Sequence, residues 1–212
     1  FFIIKYMRRF QVPRIFLSLS YVIIAPLLLS SCQINTVKID EKSSKPTVLT
    51  TFTVLADIAR NISGDRLDVH SITKPGAEIH GYKPTPSDLV KAAKADLIVE
   101  NGLGLELWAK KFLSSSEKIP RVILSEGMEP LYISSDAYKG KPNPHAWMSP
   151  KRALFYVDKL VSAFIAIDPQ GEETFLRNSS YYKKKIIELD KELKKALEVI
   201  PNQRRLLVSC EG

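Results

Sequence analysis

Short apolar runs alternate with helical patterns along the chain from Thr47 onward. Brief apolar runs indicate strands, and apolar residues that recur at steps of three and four indicate helices. The predicted strands cover residues 48–51, 67–72, 97–100 and 122–124. Strands that alternate with helices are typical of βαβ units, so the pattern predicts an α/β fold with a mainly parallel sheet.

Local signals mark the ends of the first two predicted helices. The first has an apolar face made by residues 55, 58, 59 and 62, and it ends at Gly64, which suits a C-terminal cap. The second begins after Thr85, where Pro86 and Asp88 complete a capping box. It is predicted to end near residue 94.

Two further helices are predicted, over residues 103–113 and from residue 150 to just before Pro169. Between them lies a long stretch, residues 125–144, for which we predict a loop without regular structure. Loops of that length are usually functional or mobile.

The segment 172–200 differs from the rest of the chain. Its stripe recurs at alternating steps of four and three: Phe175, Ser179, Tyr182, Ile186, Leu189, Leu193, Ala196 and Ile200. One helix of this length reaches about 43 Å, which exceeds the width of a small lobe. A coiled coil is the alternative. Because the stripe occurs only once in the chain, we favour a single helix that packs against the rest of the protein and ends at Pro201. Residues 206–209 would then open a second sheet.

The beginning of the chain has the pattern of an export signal. Arg8 and Arg9 precede an apolar run over residues 15–29, which is too short and too interrupted for a membrane span. The sequence Leu29-Ser30-Ser31-Cys32 matches the bacterial lipobox, in which the cysteine is lipidated and becomes the new amino terminus.

We therefore expect residues 1–31 to be a lipoprotein signal peptide and residues 32–46 to be a tether. Lipid on Cys32 would anchor the exported protein at the membrane, facing the periplasm or the cell exterior. A disulfide between Cys32 and Cys210 is the alternative.

The formal net charge of +8 would suggest a nucleic-acid partner. Without the four basic residues of 1–31, the charge falls to +4 and is spread along the chain. Because no basic stripe is interleaved with aromatic residues, we expect no nucleic-acid binding. The ordinary apolar content excludes a largely disordered chain.

Three histidines occur, in different surroundings. His70 lies inside a predicted strand, where we expect a half-buried structural side chain rather than a ligand. His80 lies in a loop that leaves the carboxyl end of a strand, where open α/β sheets bind ligands. His145 lies in Asn143-Pro144-His145-Ala146-Trp147. Taken singly, each is as compatible with a surface histidine as with a ligand.

Several motifs, in order, resemble a known family. They are Glu78-Ile79-His80-Gly81-Tyr82-Lys83-Pro84-Thr85-Pro86-Ser87-Asp88, Ala95-Asp96-Leu97-Ile98, Asn101-Gly102-Leu103 and Asn143-Pro144-His145-Ala146-Trp147-Met148-Ser149-Pro150. The chain is similar in these motifs to the metal-specific solute-binding proteins of ABC importers, cluster A-I or family 9.

The resemblance implies two α/β lobes with parallel sheets, joined by one long helix, with the metal ion in the cleft between them. It assigns residues 47–171 to the N-terminal lobe, 172–200 to the linking helix and 201–212 to the start of a C-terminal lobe. Because the chain begins with Phe1 and stops after the last predicted strand, we expect a fragment truncated at its carboxyl end.

The ligands that the resemblance implies fall on His80, His145 and Glu211, with a fourth, an aspartate, expected beyond residue 212. Zinc-type members usually carry histidine at the third position and a histidine-rich loop. Since Glu211 supplies a carboxylate, which suits hard Mn²⁺, we expect a manganese-type member. Zn²⁺ and Fe²⁺ are the alternatives.

The implied partners are the importer's permease and its ATPase, and we expect the receptor itself to be a monomer. We expect no enzymatic activity, because the chain has neither an HExxH motif nor a nucleophile elbow. A metallohydrolase built on the same three ligands and a surface adhesin are the rival functions.

Overall fold

A parallel four-stranded sheet organises the part of the chain that the computed structural model describes, residues 45–116, 118–135 and 137–205. The strands are β1 (Thr47–Thr50), β2 (Asp68–Ser71), β3 (Leu97–Glu100) and β4 (Arg121–Ile123). Their order in the sheet is β2-β1-β3-β4, and each neighbouring pair is parallel. The parallel sheet predicted from the alternating pattern is therefore confirmed.

Helices connect and cover these strands. They are α1 (Thr53–Ser63), α2 (Pro86–Ala93), α3 (Leu107–Phe112), α4 (Pro150–Ile167) and α5 (Glu172–Glu198). The predicted capping box at the start of α2 is present: Asp88 accepts the backbone N–H of Thr85 at 2.9 Å. Gly64 ends α1 as predicted.

The two faces of the sheet pack against different apolar layers. Because side chains alternate along a strand, Val48 and Leu49 point to opposite faces. Val48 joins the larger core, with helices α1, α4 and α5, whereas Leu49 joins a smaller cluster that includes Ala92 of α2 and Ala109 of α3. Cover on both faces explains why the central strand β3 is buried along its whole length.

The long helix α5 has 27 residues and therefore spans about 40 Å. Phe175 and Ser179 are buried, and Tyr182 and Ile186 pack partly against the larger core. Beyond Ile186 the stripe continues, but its large apolar side chains are about half exposed in the described part of the chain. The predicted single helix is confirmed, and its first half is the part that packs against α1 and α4.

The helix predicted over residues 103–113 is shorter than expected. Gly102, Leu103 and Gly104 all have positive φ angles, of 86°, 54° and 82°. Right-handed helix requires negative φ, so these residues form a turn and α3 begins only at Leu107. The apolar spacing of this segment suggested a helix because spacing carries no information about left-handed backbone.

The segment 125–144 is more ordered than the predicted loop. The N–H groups of Ile133 and Gly140 donate to the carbonyl oxygens of Lys141 and Ile133, each at 2.9 Å. The backbone N–H of Asn143 donates to the carbonyl oxygen of Leu131 at 2.7 Å. In its described part the segment contains neither a helix nor a strand, so the predicted loop is confirmed, and these backbone hydrogen bonds close it on itself.

Several predictions fall outside the described residues: the signal peptide, most of the tether with Cys32, the strand over 206–209, and Cys210 and Glu211. In the part of the chain that is described, no helix is both long and apolar enough to cross a membrane.

Candidate metal centre

Two loops bring the predicted ligand histidines together at one edge of the sheet. His80 lies between β2 and α2, and His145 lies between β4 and α4. Both loops follow the carboxyl ends of parallel strands, and in a parallel sheet those ends share one edge. The topology therefore places both loops at the same end of the sheet, and the loops bring the two histidines together although 65 positions separate them in sequence.

The rings of His80 and His145 face each other through their Nε2 atoms. These atoms are 3.3 Å apart, and the ring centroids are 5.3 Å apart. Two nitrogens that bind one tetrahedral ion at about 2.0–2.1 Å lie about 3.3–3.4 Å from each other. The observed separation suits two nitrogens that share a metal ion. In the absence of an ion, it equally allows an Nε2–H···Nε2 hydrogen bond between the two rings.

The ring of His145 is held by its own loop. Asn143 Oδ1 lies 2.9 Å from His145 Nδ1 and accepts the backbone N–H of His145 at 3.0 Å. The Trp147 ring packs against His145, with centroids 5.3 Å apart, and against the buried Phe52, with centroids 4.9 Å apart. The tryptophan therefore links the histidine to the core beside β1.

Asn101, fully buried at the end of β3, ties the His145 loop to the sheet. Its Nδ2 donates to the carbonyl oxygen of Pro144 at 2.9 Å, and its Oδ1 accepts the hydroxyl of Tyr156 at 2.5 Å. Its main-chain oxygen accepts the hydroxyl of Ser125 at 2.6 Å. The backbone just before His145 is therefore fixed from inside the protein.

A buried carboxylate completes this network. Glu106 Oε1 accepts the Thr51 hydroxyl at 2.7 Å and the N–H of Asn101 at 2.6 Å, and Oε2 accepts the N–H of Gly102 at 3.1 Å. Burial raises the pKa of Glu106, although these hydrogen bonds oppose the shift. Burial and the nearby Glu106 also raise the pKa of Tyr156, so its hydroxyl keeps the proton that it donates to Asn101.

Gly102 allows the chain to turn tightly above β3. Its φ is +86°, and a Cβ at this position would lie 2.5 Å from both Ile123 Cγ2 and Ser125 Oγ. Glycine is thus required here both by the backbone conformation and by the close approach of the neighbouring segment.

The His80 loop is fixed from the side of α3. Trp108 Nε1 donates to the carbonyl oxygen of Ile79 at 2.8 Å, and Glu78 Oε1 accepts the backbone N–H of His80 at 2.7 Å. The Trp108 ring also packs against Tyr82, with centroids 5.1 Å apart. These contacts position the backbone on either side of His80, whose side chain is exposed.

The two histidines line an open cleft of about 310 Å³, together with Ala77, Glu78, Ile79, Leu105, Trp147 and Met148. Over residues 45–116, 118–135 and 137–205, no three His, Cys, Asp or Glu side chains form a group suited to a metal ion. Glu211 lies beyond these ranges, so its role as third ligand stays a prediction.

His70 does not line the cleft. Its side chain is 53% exposed, and its Nε2 lies 3.0 Å from Asp68 Oδ2. About half of the side chain is thus buried, as expected, and the rest is exposed to solvent because β2 is an edge strand.

The supporting residues Asn101, Glu106, Asn143 and Trp108 were not identified as functional from the sequence. Asn101 and Asn143 stand inside the motifs that carried the family resemblance, and this was the available signal. Their partners are distant in sequence, as in the hydrogen bond from Tyr156 to Asn101 over 55 positions, so the contacts follow only from the fold.

Comparison with known sequences identifies relatives of the chain. The profile of the family "Zinc-uptake complex component A periplasmic" matches residues 48–212. The iron-binding protein YfeA of Yersinia pestis is 48% identical over 81% of the chain and 55% of its own length. The manganese ABC transporter substrate-binding lipoprotein ScaA of Streptococcus gordonii is 35% identical over 87% of the chain and 62% of its own length. The chain thus spans between half and two thirds of these relatives.

Solved structures agree with this relationship. A Mn-bound periplasmic metal binding protein from Candidatus Liberibacter asiaticus is 32% identical with a TM-score of 0.71, over 77% of this chain and 61% of that one. Zn(II)-bound AdcA from Streptococcus pneumoniae is 28% identical with a TM-score of 0.64, over 73% and 33%. These likenesses confirm the predicted fold class. All four proteins are named for binding or transporting metal, and none of these names describes an enzyme.

Proposed function

Because the chain belongs to the zinc-uptake complex component A family, we propose that it is the metal-capturing part of an extracytoplasmic receptor that delivers a divalent metal ion to the permease of an ABC importer. The observation that carries this proposal is the 3.3 Å approach of His80 Nε2 to His145 Nε2 beside an open cleft. Two convergent imidazoles are half of a four-coordinate site for a transition-metal ion.

The metal cargo that we propose is Mn²⁺. Its support is chemical: Glu211 as third ligand would add a carboxylate to the two imidazoles, and oxygen ligands suit hard ions. Fe²⁺ is the second candidate, because the relative with 48% identity is named as an iron-binding protein. Zn²⁺ exceeds both in intrinsic affinity for such ligands, so selection in the cell would rest on geometry and metal availability.

The remaining parts of the proposal concern the longer protein. Lipid on Cys32 would hold the receptor at the membrane, and residues 32–46 would let the folded part reach the permease. Residues 47–171 would form the first lobe, α5 would link it to a second lobe, and residues 201–212 would begin that lobe. The ATPase of the importer would then drive transport of the released ion.

Titration of the full-length protein with Mn²⁺, Fe²⁺ and Zn²⁺ tests this function. We expect His80→Ala and His145→Ala each to weaken Mn²⁺ binding by more than about 100-fold, since loss of a direct ligand costs more than loss of a residue that orients one. His70→Ala is the matched control, because this histidine is exposed and does not line the cleft.

Unchanged affinity in either ligand variant, or an equal loss in His70→Ala, would argue against a site at His80 and His145. The ratio of the Mn²⁺, Fe²⁺ and Zn²⁺ affinities of the wild-type protein separately tests the proposed cargo.

A further inference from the structure

We propose that Asn143 is a positioning residue for metal binding: it keeps the proton of the His145 ring on Nδ1, so that Nε2 carries the lone pair that a metal ion binds. The effect of Asn143 on metal binding rests on the proposed function. The state of the ring in the metal-free protein follows from the geometry alone.

The first step is the orientation of the Asn143 amide. One atom of this amide receives the backbone N–H of His145 at 3.0 Å. A backbone N–H is always a donor, so the atom facing it must be the amide oxygen, Oδ1. The orientation of the side chain therefore does not depend on the choice between oxygen and nitrogen that amide groups otherwise leave open.

The second step concerns the ring. The same Oδ1 lies 2.9 Å from Nδ1 of His145, and an amide oxygen can only accept. In the neutral ring, Nδ1 must then carry the hydrogen and Nε2 must carry the lone pair. A metal ion binds to that lone pair, and Nε2 is the atom that faces His80 Nε2 at 3.3 Å.

The third step is the position of Asn143 itself. Its backbone N–H donates to the carbonyl oxygen of Leu131 at 2.7 Å, so the folded loop before it holds it in place. On its other side, Asn101 holds the carbonyl oxygen of Pro144 at 2.9 Å. Asn143 is thus fixed before any ion arrives, and the cost of orienting His145 is met during folding rather than on binding.

Three substitutions separate an effect on the ring from an effect on the turn. Asn143→Asp keeps an acceptor for both Nδ1 and the backbone N–H. Asn143→Ser keeps a short acceptor that can serve the backbone N–H two residues on, but it does not reach the ring. Asn143→Ala removes the acceptor for the ring and the acceptor for the backbone N–H. Asn61→Ser, on the exposed side of α1, is the matched control for the loss of an amide.

The tautomer is read directly from long-range ¹H–¹⁵N NMR spectra of the metal-free full-length protein at about pH 8, where free imidazole is neutral. We expect His145 to carry its proton on Nδ1 in the wild type, in Asn143→Asp and in Asn61→Ser. In Asn143→Ser and Asn143→Ala, we expect a mixture of the two tautomers. A wild-type ring protonated on Nε2 would overturn the inference whatever metal is bound.

Mn²⁺ titration gives the second readout. We expect Asn143→Ser and Asn143→Ala to weaken binding by about 10- to 100-fold, as is usual for residues that orient a metal ligand. Asn143→Asp and Asn61→Ser should stay within a few-fold of the wild type. If Asn143→Ser binds like the wild type, the amide serves only the turn and the inference is wrong. If instead the wild type binds no ion, the proposed function fails, and the NMR result still decides the tautomer.

Discussion

At the scale of residues, the His145 loop depends on one buried carboxylate. Glu106 receives three hydrogen bonds, from Thr51, Asn101 and Gly102, and Asn101 in turn holds the loop. Where a donor replaces a buried acceptor, the groups that donated to it are left unpaired, which costs about 1–3 kcal/mol for each group. The site is therefore sensitive to a residue that does not touch the cleft.

Substitution Glu106→Gln should lower the free energy of unfolding by about 1–3 kcal/mol, because the new NH₂ group would face the N–H of Gly102. The loss should also depend on pH. Burial raises the pKa of Glu106 in the folded protein, so its contribution to stability is present below its ordinary pKa of 4.5 and is lost as the pH rises through the raised value. Urea unfolding of metal-free protein should thus show a larger loss at about pH 4 than at about pH 8.

Glu173→Gln on α5 is the control, since that carboxylate is 96% exposed. A loss from Glu106→Gln that is equal at both pH values, or greater at the higher one, would contradict this description of the buried carboxylate.

The two histidines of the candidate site were easier to identify from the sequence than the residues that hold them. His80 and His145 stand in contiguous motifs, and the parallel topology brings both loops to the same edge of the sheet. The role of Asn101 was not predictable, because its partners Pro144 and Tyr156 lie 43 and 55 positions away. Hydrogen bonds over such separations depend on the packing of whole elements.

At the scale of elements, α5 has two halves with different surroundings. Its first half packs on α1 and α4 through Phe175, Ser179 and their neighbours. In its second half, the side chains of Leu189, Leu193 and Leu197 are 48%, 46% and 52% exposed. The apolar stripe runs through both halves, so the sequence predicted the helix but could not show which part packs against this lobe.

Hydrogen exchange of the 212-residue chain should separate these halves. We expect amides of residues 175–186 to exchange more slowly than those of residues 189–197, because local opening is easier where few apolar contacts must be broken. Mass spectrometry of overlapping peptides measures this difference. Equal protection along the whole helix would contradict the division.

The differences between the predicted and the observed segments have specific physical causes. The segment before α3 has helical apolar spacing, but Leu103 and both flanking glycines adopt positive φ. The loop over residues 125–144 is closed by backbone hydrogen bonds at Ile133 and Asn143, which do not depend on an apolar periodicity and could not be predicted from one. The periodicity of apolar residues indicates which face of an element is buried, but it does not predict turns.

At the scale of the whole molecule, the described part of the chain is one parallel sheet covered by helices, the last of which is long. The relatives are longer: the chain spans 55% of the Yersinia pestis protein and 62% of the Streptococcus gordonii protein. We propose that the remaining length forms the second lobe and supplies the other side of the metal cleft. The exposed stripe on the second half of α5 is consistent with further packing there.

The central claim is that one metal ion is shared by His80 and His145. Its most direct test is an anomalous difference map from crystals of the full-length protein grown with Mn²⁺, collected at the manganese absorption edge. We predict a single strong peak in coordination contact with Nε2 of both histidines, and its loss in His145→Ala. A peak elsewhere on the protein, or none despite measured Mn²⁺ binding in solution, would contradict the claim.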